Sequence, residues 1–400
     1  ADQWRAQATG YAGDPNLQGK TPNLDALAKE GINFTHAVSG MPVCTPYRAS
    51  LLTGQYPLTH GVYINDAPLD PHCTSIARAF GAGGYETGYI GKWHVHGSPD
   101  GQYSRRTTVV PRDCQLGFDY WKGFECTHDY NDSHYFVDDD PTRRTWEGYD
   151  AFAQSRDAAD YINARADSDD PFLLMLSWGP PHFPLDNAPQ DYQDRYADAE
   201  IALRPNVPAD LREEAAEQLR GYYAHIAALD DAMKIVLDAV DAAGLAGDTI
   251  VVFTSDHGDM RHSQGLHTKL FPWDESIRVP FLLRLPGAQG ACELPVPLDA
   301  PDIMPTLLGL CDVSIPTTVE GRDWSPEIRG DIAPTGEESA LLTMPAAFHE
   351  LRITGMQAYR GLRTVTHTYV RNLDGPWLMY DNEADPYQMR NLIDLPEHTE

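Results

Sequence analysis

A cysteine stands at the start of a predicted helix, and an arginine follows within its first turn. The segment is Cys44-Thr45-Pro46-Tyr47-Arg48, and the helix is predicted to end at Gly54. Thr45 can cap a helix and Pro46 suits a first turn, so we expect Cys44 just outside the helix N-terminus. Free backbone N–H groups there favour an anion, and Arg48 adds a positive charge. Taken alone, these features are more typical of a buried structural cysteine before an ordinary helix.

Polar residues follow directly on three apolar runs that are typical of buried parallel strands. The runs are Tyr85 to Gly91, Pro171 to Trp178 and Thr249 to Ser255. They end in Lys92-Trp93-His94, in Gly179-Pro180-Pro181-His182 and in Asp256-His257-Gly258. In an open α/β sheet the ligand crevice lies beyond the carboxyl ends of the strands. We therefore expect these side chains, which are far apart in the sequence, to converge on one site.

The full string from Cys44 to Gly54 is Cys-x-Pro-x-Arg followed by Ala-Ser-Leu-Leu-Thr-Gly. It resembles the signature of the type I, formylglycine-dependent sulfatases of the alkaline phosphatase superfamily. The resemblance implies a sulfuric ester hydrolase with an alkaline-phosphatase-like fold, in which a maturation enzyme oxidises Cys44 to formylglycine. The hydrated aldehyde is a gem-diol. One diol oxygen would attack the sulfur of a sulfate ester, and the other would later expel sulfate by breaking the hemiacetal.

Two further elements resemble the metal ligands of that family. Asp2-Gln3 matches an opening acidic pair, with Gln3 where many members have a second Asp. Asp256-His257 matches a second pair, with His257 where many have Asn. The resemblance implies one divalent cation, calcium, held by these four residues and residue 44, since hard oxygen ligands suit calcium. The imidazole favours softer ions. Taken singly, Asp2 and Asp256 could equally be helix caps or solvated surface charges.

Other residues stand in contexts that resemble the sulfate pocket of the family. Lys92 and His94 are implied to hold sulfate and the oxygens of the nucleophile. His182, in Pro181-His182-Phe183-Pro184, is the implied proton donor to the leaving alcohol, and Lys269 is the implied second sulfate lysine. With Arg48, the lysines would place positive charge around a sulfate-like transition state. A single His or Lys outside such a context is more often structural or solvated.

Strands that alternate with helices predict a doubly wound α/β domain with a mostly parallel sheet over residues 1–312. One helix is expected from Thr21-Pro22 to Gly31, and another, with apolar residues at helical spacing, from about Leu219 to Gly244. The Pro-rich stretch Ser314 to Pro334 is typical of a linker. Residues 313–400 would then include a small α+β subdomain, with short antiparallel strands in Ala358 to Val370 and Trp377 to Tyr380.

The composition is that of a globular enzyme and disfavours several classes of protein. The chain has 400 residues and a formal net charge of −29, which makes nucleic acid an unfavourable partner. No run of about 18 apolar residues is present to span a membrane. Six cysteines without metal-ligand spacing leave disulfides open.

The sequence starts Ala1-Asp2-Gln3 without a signal peptide, so we expect it to be trimmed at this end. The oligomeric state and the location in the cell stay open. A periplasmic or secreted location suits a carbohydrate sulfatase, and a cytoplasmic one is also compatible with the sequence.

The expected substrate is a sulfated small molecule or saccharide, and a carbohydrate is favoured. Residues 117–136 combine aromatic rings with hydrogen-bonding groups, which suits a sugar, although a rigid surface loop fits equally well. The candidates for substrate recognition are Asn65, Asp66, His128 and His134. Two alternatives remain: a phosphodiesterase or phosphonate monoester hydrolase of the same superfamily, and a silent saccharide-binding protein if Cys44 is not converted.

Overall fold

The computed structural model describes residues 1–287, 290–393 and 395. Its strands are β1 (Ile32–Phe34), β2 (Glu86–Lys92), β3 (Tyr120–Phe124), β4 (His134–Val137), β5 (Arg144–Thr145), β6 (Phe172–Ser177), β7 (Val251–Thr254), β8 (Phe281–Arg284), β9 (Cys292–Leu294), β10 (Ser339–Met344), β11 (Tyr359–Thr364), β12 (His367–Asn372) and β13 (Gly375–Asp381). Its α-helices are α1 (Pro22–Glu30), α2 (Cys44–Thr53), α3 (Pro57–His60), α4 (Ile76–Ala82), α5 (Asp150–Asn163), α6 (Gln190–Asp194), α7 (Arg212–Ala242), α8 (Asp274–Ile277), α9 (Ala300–Leu310), α10 (Ser325–Arg329) and α11 (His349–Ile353). Short 3-10 helices lie at Ser104–Thr107, Arg112–Gln115, Ala209–Leu211 and Ser263–Gly265.

Two sheets form the centre of the α/β part. The larger has the order β5-β4-β3-β2-β6, in which β2 pairs in parallel with β3 and β6, while β4 and β5 are antiparallel. The smaller has the order β7-β8-β1-β9, with β1 and β9 parallel and the other pairs antiparallel. The predicted α/β class is confirmed, and strands lie at the three predicted places, β2, β6 and β7.

The expectation that β7 is a parallel strand is wrong, because it pairs with the antiparallel strand β8, with Val251 opposite Arg284. Parallel pairing needs a crossover connection, usually through a long helix. The chain between β7 and β8 has the 3-10 helix Ser263–Gly265, the short helix α8 and loops, but no long helix.

The helices bury apolar faces against the sheets and against each other. α1 begins at Pro22 and ends before Gly31, as predicted. α7 buries Leu219, Ile226 and Met233, but it starts earlier than predicted, at Arg212. The apolar spacing did not indicate its first turn, because that turn carries the exposed Glu213 and Glu214. No helix among the described residues is both long and apolar enough to cross a membrane.

An antiparallel sheet, β10-β11-β12-β13, lies near the C-terminus, as predicted, although the sequence did not indicate β10. It shares an apolar cluster with residues of the α/β part, among them Val43, Leu270 and Trp273. The stretch predicted as a linker contains α10, and Trp324 beside it is buried in a cluster with Ile303 of α9. The domain boundary at residue 312 stays a prediction.

A close approach between β2 and β6 requires glycine at position 91. Gly91 has a φ of 103°, and a Cβ there would lie 2.2 Å from the carbonyl oxygen of Ser177. Gly84 has a similar φ of 88° but nothing within 4 Å of such a Cβ. Gly84→Ala should therefore cost about 1–2 kcal/mol of unfolding free energy from backbone strain alone.

Gly91→Ala should cost roughly 1–3 kcal/mol more than Gly84→Ala, because the added methyl group forces the two strands apart. Denaturant unfolding of both variants measures the difference. Equal losses would show that the approach of Ser177 does not constrain this position.

Candidate active site

The helix that begins with Cys44 does not start as the sequence predicts. Cys44 is the first residue of α2 rather than a residue outside it, and its N-cap is Val43, which has no side-chain acceptor. Asn65 supplies the missing acceptor from the following loop, since its Oδ1 accepts a hydrogen bond from the backbone N–H of Thr45 at 3.1 Å. Gly54, at φ 67°, ends the helix as predicted. Thr45 is therefore not the cap.

Three side chains from distant parts of the chain surround the Sγ atom of Cys44, which is 1% exposed. His257 Nε2 lies 3.2 Å from this sulfur, Lys269 Nζ lies 3.3 Å from it, and Asp2 Oδ1 lies 3.7 Å from it. The predicted convergence of the start of α2, the first residues of the chain and the segment after β7 is thus present in the structure.

Two buried carboxylates, those of Asp2 and Asp256, share the guanidinium of Arg48. Nη2 of Arg48 lies 3.2 Å from Asp2 Oδ2 and 3.0 Å from Asp256 Oδ2. Lys92 Nζ also pairs with Asp2. Burial by itself would raise the pKa of Asp2, but Lys92 and Arg48 outweigh it and hold that pKa well below its usual range. Asp2 is therefore ionised.

The side chains of Asp2, Cys44, Asp256 and His257 form a possible metal-binding group. One donor atom of each lies within 4.8 Å of the others, and all four residues are buried. His257 Nδ1 lies 2.9 Å from the carbonyl oxygen of Gly258. If Nδ1 carries the proton and donates it to this carbonyl, Nε2 presents its lone pair to the group, as in most histidine ligands.

Gln3 lies beside this group, and its contacts suit an amide better than a carboxylate. Its Nε2 donates to Asp259, and its backbone N–H donates to Asp256 Oδ1 at 3.0 Å. Its Oε1 accepts from Lys269 Nζ at 3.3 Å. The donation to Asp259 thus turns the amide oxygen towards the site.

His182 and Lys269 face each other across the site. Lys269 Nζ lies 2.7 Å from His182 Nε2, while His182 Nδ1 lies 2.8 Å from the carbonyl oxygen of Phe183. Burial and the nearby charge of Lys269 lower the pKa of His182 well below its usual value. The neutral ring therefore carries its proton on Nδ1, and Nε2 is the nitrogen that faces the reacting groups.

His94 is buried at 2% exposure, and neither of its ring nitrogens has a hydrogen-bond partner among the described residues. Its Nε2 lies 3.6 Å from Asp66 Oδ1. Buried polar atoms are rarely left without a partner in a complete structure. His94 therefore has hydrogen-bonding capacity to offer to a group bound in this site.

The four residues predicted for substrate recognition lie in different surroundings. Asp66 lies beside His94 and accepts two hydrogen bonds from Arg106, at 2.8 and 2.6 Å. The ring of His128 stacks on that of His182, with centroids 4.4 Å apart. Asn65 holds the start of α2, and His134 is buried in β4 with its ring near Phe124 and Phe136. Their roles in substrate recognition stay predictions.

Several residues that contact the site were not indicated by the sequence. Ser177 Oγ accepts from Arg48 Nη1 at 2.7 Å, and Cys126 Sγ lies 3.9 Å from His128 Nε2. Ser177 stands at the end of β6 and Asp259 stands three residues after Asp256, so their positions carried a weak signal. For Arg106 and Cys126 we find no sequence signal.

Four residues of the site and its flanking loop have strained backbone conformations. Gln3, His94, Thr268 and Leu270 have φ values of 65°, 58°, 60° and 85°, a region that side chains other than glycine seldom adopt. Such strain persists only where the surrounding structure holds it, and it is common at active sites. Two of the four residues, Thr268 and Leu270, flank Lys269.

Comparison with known proteins gives matches along the whole chain. Residues 1–313 match the model of the Sulfatase family, and residues 262–400 match the model described as N-sulphoglucosamine sulphohydrolase, C-terminal. The chain is 46% identical to the ulvan-active sulfatase of Formosa agariphila, over 99% of this chain and 76% of that protein. It is 33% identical to the endo-4-O-sulfatase of Bacteroides thetaiotaomicron, over 98% of this chain and 86% of that protein.

Solved structures agree in fold. One from work on the metabolism of multiple glycosaminoglycans by Bacteroides thetaiotaomicron has a TM-score of 0.88 at 30% identity, covering 100% of this chain and 92% of its own. The phosphonate monoester hydrolase of Agrobacterium radiobacter has a TM-score of 0.77 at 22% identity, covering 100% and 91%. At that identity the second likeness shows the fold alone.

The bond from Thr45 to Asn65 should stabilise the start of α2. Asn65→Ala removes the acceptor and should lower the unfolding free energy by about 1 kcal/mol, the usual effect of losing an N-terminal cap. Asn65→Asp keeps an oxygen in place and adds a charge that a helix N-terminus favours, so it should retain stability. Denaturant midpoints of the two variants test this, and equal destabilisation would contradict it.

Proposed function

This chain belongs to the sulfatase family, and from that membership and the site geometry we propose that it hydrolyses a sulfate ester of a carbohydrate at residue 44. One observation carries the proposal. Groups suited to binding a cation and groups suited to binding sulfate, drawn from distant parts of the chain, converge on the Sγ atom of Cys44.

The proposed nucleophile is the gem-diol of formylglycine, formed from Cys44 by a maturation enzyme. One diol oxygen forms a bond to sulfur while the bond from sulfur to the alcohol oxygen breaks. The second diol hydroxyl then loses its proton, the aldehyde reforms as the bond from its carbon to the sulfate oxygen breaks, sulfate leaves, and water adds to the aldehyde to restore the diol. An unmodified thiol could attack once, but its sulfated product would have no comparable exit.

Positive charge already in place would stabilise the sulfuryl group during transfer. Lys92 and Lys269 are 0% and 7% exposed. Arg48, in the first turns of α2, is proposed to lie beside the oxygens of the sulfuryl group. Preorganised charges in a buried site need no reorganisation during the reaction, which makes them the largest catalytic contribution in many enzymes. His94, whose ring nitrogens make no hydrogen bond within the part of the chain that the structure describes, is proposed to bind sulfate or a diol oxygen.

The donor set fits one divalent cation, and we propose calcium. Two buried carboxylates, the amide oxygen of Gln3 and an oxygen of converted residue 44 are hard ligands. His257 is the departure from an all-oxygen set. When bound, the cation would supply further positive charge beside the sulfuryl oxygens.

We propose His182 as the proton donor to the leaving alcohol. Its Nε2 faces Lys269 and the nucleophile. Without substrate the ring is neutral, so Nε2 would take up a proton when the negative charge of the sulfate ester lies beside it, and that proton would then pass to the oxygen that departs from sulfur. General acids of this kind typically contribute about 10²–10⁴-fold to a rate.

A sulfated carbohydrate is the proposed substrate, with one ester accepted at a defined sugar position. The two relatives named above carry names that refer to ulvan and to a 4-O-sulfate. Because the chain has a net charge of −29, long-range attraction of a densely sulfated polymer should be weak. Short fragments or chain ends are therefore proposed, and a periplasmic or secreted location would suit them.

Conversion of Cys44 is tested directly by mass spectrometry of the peptide that contains residue 44. Active protein should carry formylglycine there, and Cys44→Ala should fold normally but show no turnover. Cys292→Ala, which removes an exposed cysteine, should retain full activity. Full activity from protein with an unmodified thiol would overturn the mechanism, and native protein that binds a saccharide without turnover and with Cys44 unconverted would favour the silent alternative.

Metal removal should abolish activity and lower thermal stability, and added calcium should restore both. A ligand at about 100 times its Kd stabilises a fold by about 2.7 kcal/mol, so the shift in Tm should be measurable without substrate. Asp256→Asn should lose the calcium-dependent shift, whereas Asp230→Asn, a buried acid bonded to Asn23 and Leu24, should keep it. Activity and Tm that are unchanged after verified metal removal would contradict the proposal.

The substrate class is tested with converted protein and a panel of sulfated mono- and oligosaccharides. An aryl sulfate, a phosphate diester and a phosphonate monoester serve as comparisons under identical conditions. The highest kcat/KM should belong to a sulfated sugar. Faster hydrolysis of the phosphorus esters would favour the alternative within the superfamily, and much faster hydrolysis of the aryl sulfate would weaken the carbohydrate assignment.

A further inference from the structure

A buried phenol, that of Tyr130, contacts the segment that carries His182 at three points. Tyr130 is 0% exposed, and its hydroxyl lies 2.9 Å from the carbonyl oxygen of His182. The same hydroxyl lies 3.3 Å from the carbonyl oxygens of Gly179 and Phe183. The hydroxyl thus lies within hydrogen-bonding distance of three carbonyls of a six-residue segment, Gly179 to Pro184. This segment belongs to no helix or strand.

The phenol and the imidazole meet at one of these carbonyl oxygens. Phe183 O accepts from His182 Nδ1 at 2.8 Å and lies 3.3 Å from the Tyr130 hydroxyl. The position of this oxygen decides both the direction of the ring and the nitrogen that carries the resident proton. Tyr130 therefore acts on the ring through the carbonyl and leaves Nε2 directed at Lys269.

The ring of Tyr130 has little freedom to move. It packs on Gly179, where a Cβ would lie only 2.7 Å from its Cε1 atom. The rings of Tyr149 and His225 meet it edge to face, with centroids 6.4 and 5.7 Å away. His225 Nε2 also lies 3.2 Å from the carbonyl oxygen of Pro184, at the end of the same segment.

Two residues before Tyr130, the ring of His128 lies parallel to that of His182, with 6° between their planes. The short segment 128–130 therefore contacts His182 twice, at the face of its ring and at its backbone. Residues 117–136 are candidates for sugar recognition, with a rigid surface loop as the equal alternative, whereas the contacts of His128 and Tyr130 are directed at the proposed proton donor.

We propose that Tyr130 is a positioning residue for proton transfer, which keeps His182 Nε2 directed at the alcohol oxygen that leaves sulfur. The inference rests on the proposed function. In the step, the bond between sulfur and that oxygen breaks, its electron pair stays on oxygen, and the proton passes from Nε2 to the same oxygen. Hydrolysis of the ester releases a proton overall, and the same balance supplies Nε2 with a proton again when the next anionic ester binds beside the neutral ring.

The consequence is a dependence on the leaving group. A sugar alkoxide is a poor leaving group and needs the proton as the bond breaks, whereas an activated phenolate departs with little help. Misplacement of a catalytic group by about 1 Å can cost up to 10²-fold in rate. Loss of the Tyr130 hydroxyl should therefore slow sugar sulfates far more than an activated aryl sulfate.

The test compares Tyr130→Phe with Tyr223→Phe in converted protein. Tyr223 is also a buried tyrosine of the same apolar cluster, but its hydroxyl donates to Asp14 at 2.9 Å and does not contact the His182 segment. Tyr130→Phe should lower kcat/KM for a sugar sulfate roughly tenfold more than for 4-nitrophenyl sulfate. Tyr223→Phe should change both substrates alike.

A second comparison uses His182→Ala as background. Once the proton donor is gone, Tyr130→Phe should have no further effect on the sugar sulfate. Should Tyr130→Phe not fold, Gly179→Ala, which presses on the same ring, should reproduce the substrate-dependent loss. Equal losses on both substrates, or a full further loss in the His182→Ala background, would overturn the inference while leaving the proposed function intact. Absence of turnover by converted wild-type protein with every sulfate ester would overturn the proposed function itself.

Discussion

The buried pair of carboxylates, Asp2 and Asp256, is the constraint on which the rest of the site depends. Two negative charges out of water cost several kcal/mol each unless they are paired or bind a cation. Nη2 of Arg48 forms ion pairs with both carboxylates, and Lys92 forms a second ion pair with Asp2. Since Cys44 and Arg48 are four residues apart on α2, they lie on one face of that helix, so the helix that brings the arginine to the two acids also brings residue 44 close to them.

The backbone of the first residues connects this pair to the proton donor. Asp256 N donates to the carbonyl oxygen of Ala1 at 3.2 Å, and Asp2 N donates to that of Pro180 at 3.4 Å. The start of the chain therefore lies between the ends of β7 and β6, which belong to different sheets. Movement of the segment that carries His182 would therefore displace the proposed metal ligands Asp2 and Asp256, so the proposed proton donor and the proposed metal site are mechanically linked.

The C-terminal sheet contributes through the loop that carries Lys269. The hydroxyl of Tyr359 in β11 donates to the carbonyl oxygen of Leu270 at 2.9 Å. Arg363, in the same strand, bonds both oxygens of Asp274, which begins α8. Leu270 is in a strained conformation, which persists only where the surrounding structure holds it. The C-terminal sheet therefore supports the loop of Lys269, although the sheet bears no proposed catalytic side chain.

The sequence by itself determined the local features and the identity of the converging residues. Pro22 marks the start of α1 because its ring fixes φ, and Gly54 marks the end of α2 because glycine adopts a φ of 67° without strain. The polar residues after β2, β6 and β7 were recognisable because each group directly follows an apolar run, and ligands bind beyond the carboxyl ends of such strands. These features depend on spacing along the chain, and spacing is visible in a sequence.

Only the tertiary structure decided contacts between residues that are distant in sequence. In the folded chain Asn65, rather than Thr45, supplies the side-chain acceptor at the start of α2, and β7 pairs with an antiparallel strand. The hydroxyl of Tyr130 contacts three carbonyls that lie 49 to 53 residues further along the chain. The periodicity of the sequence does not indicate such contacts. A hydrogen bond forms only when donor and acceptor are placed to within a few tenths of an ångström, and that placement exists only once the elements are packed together.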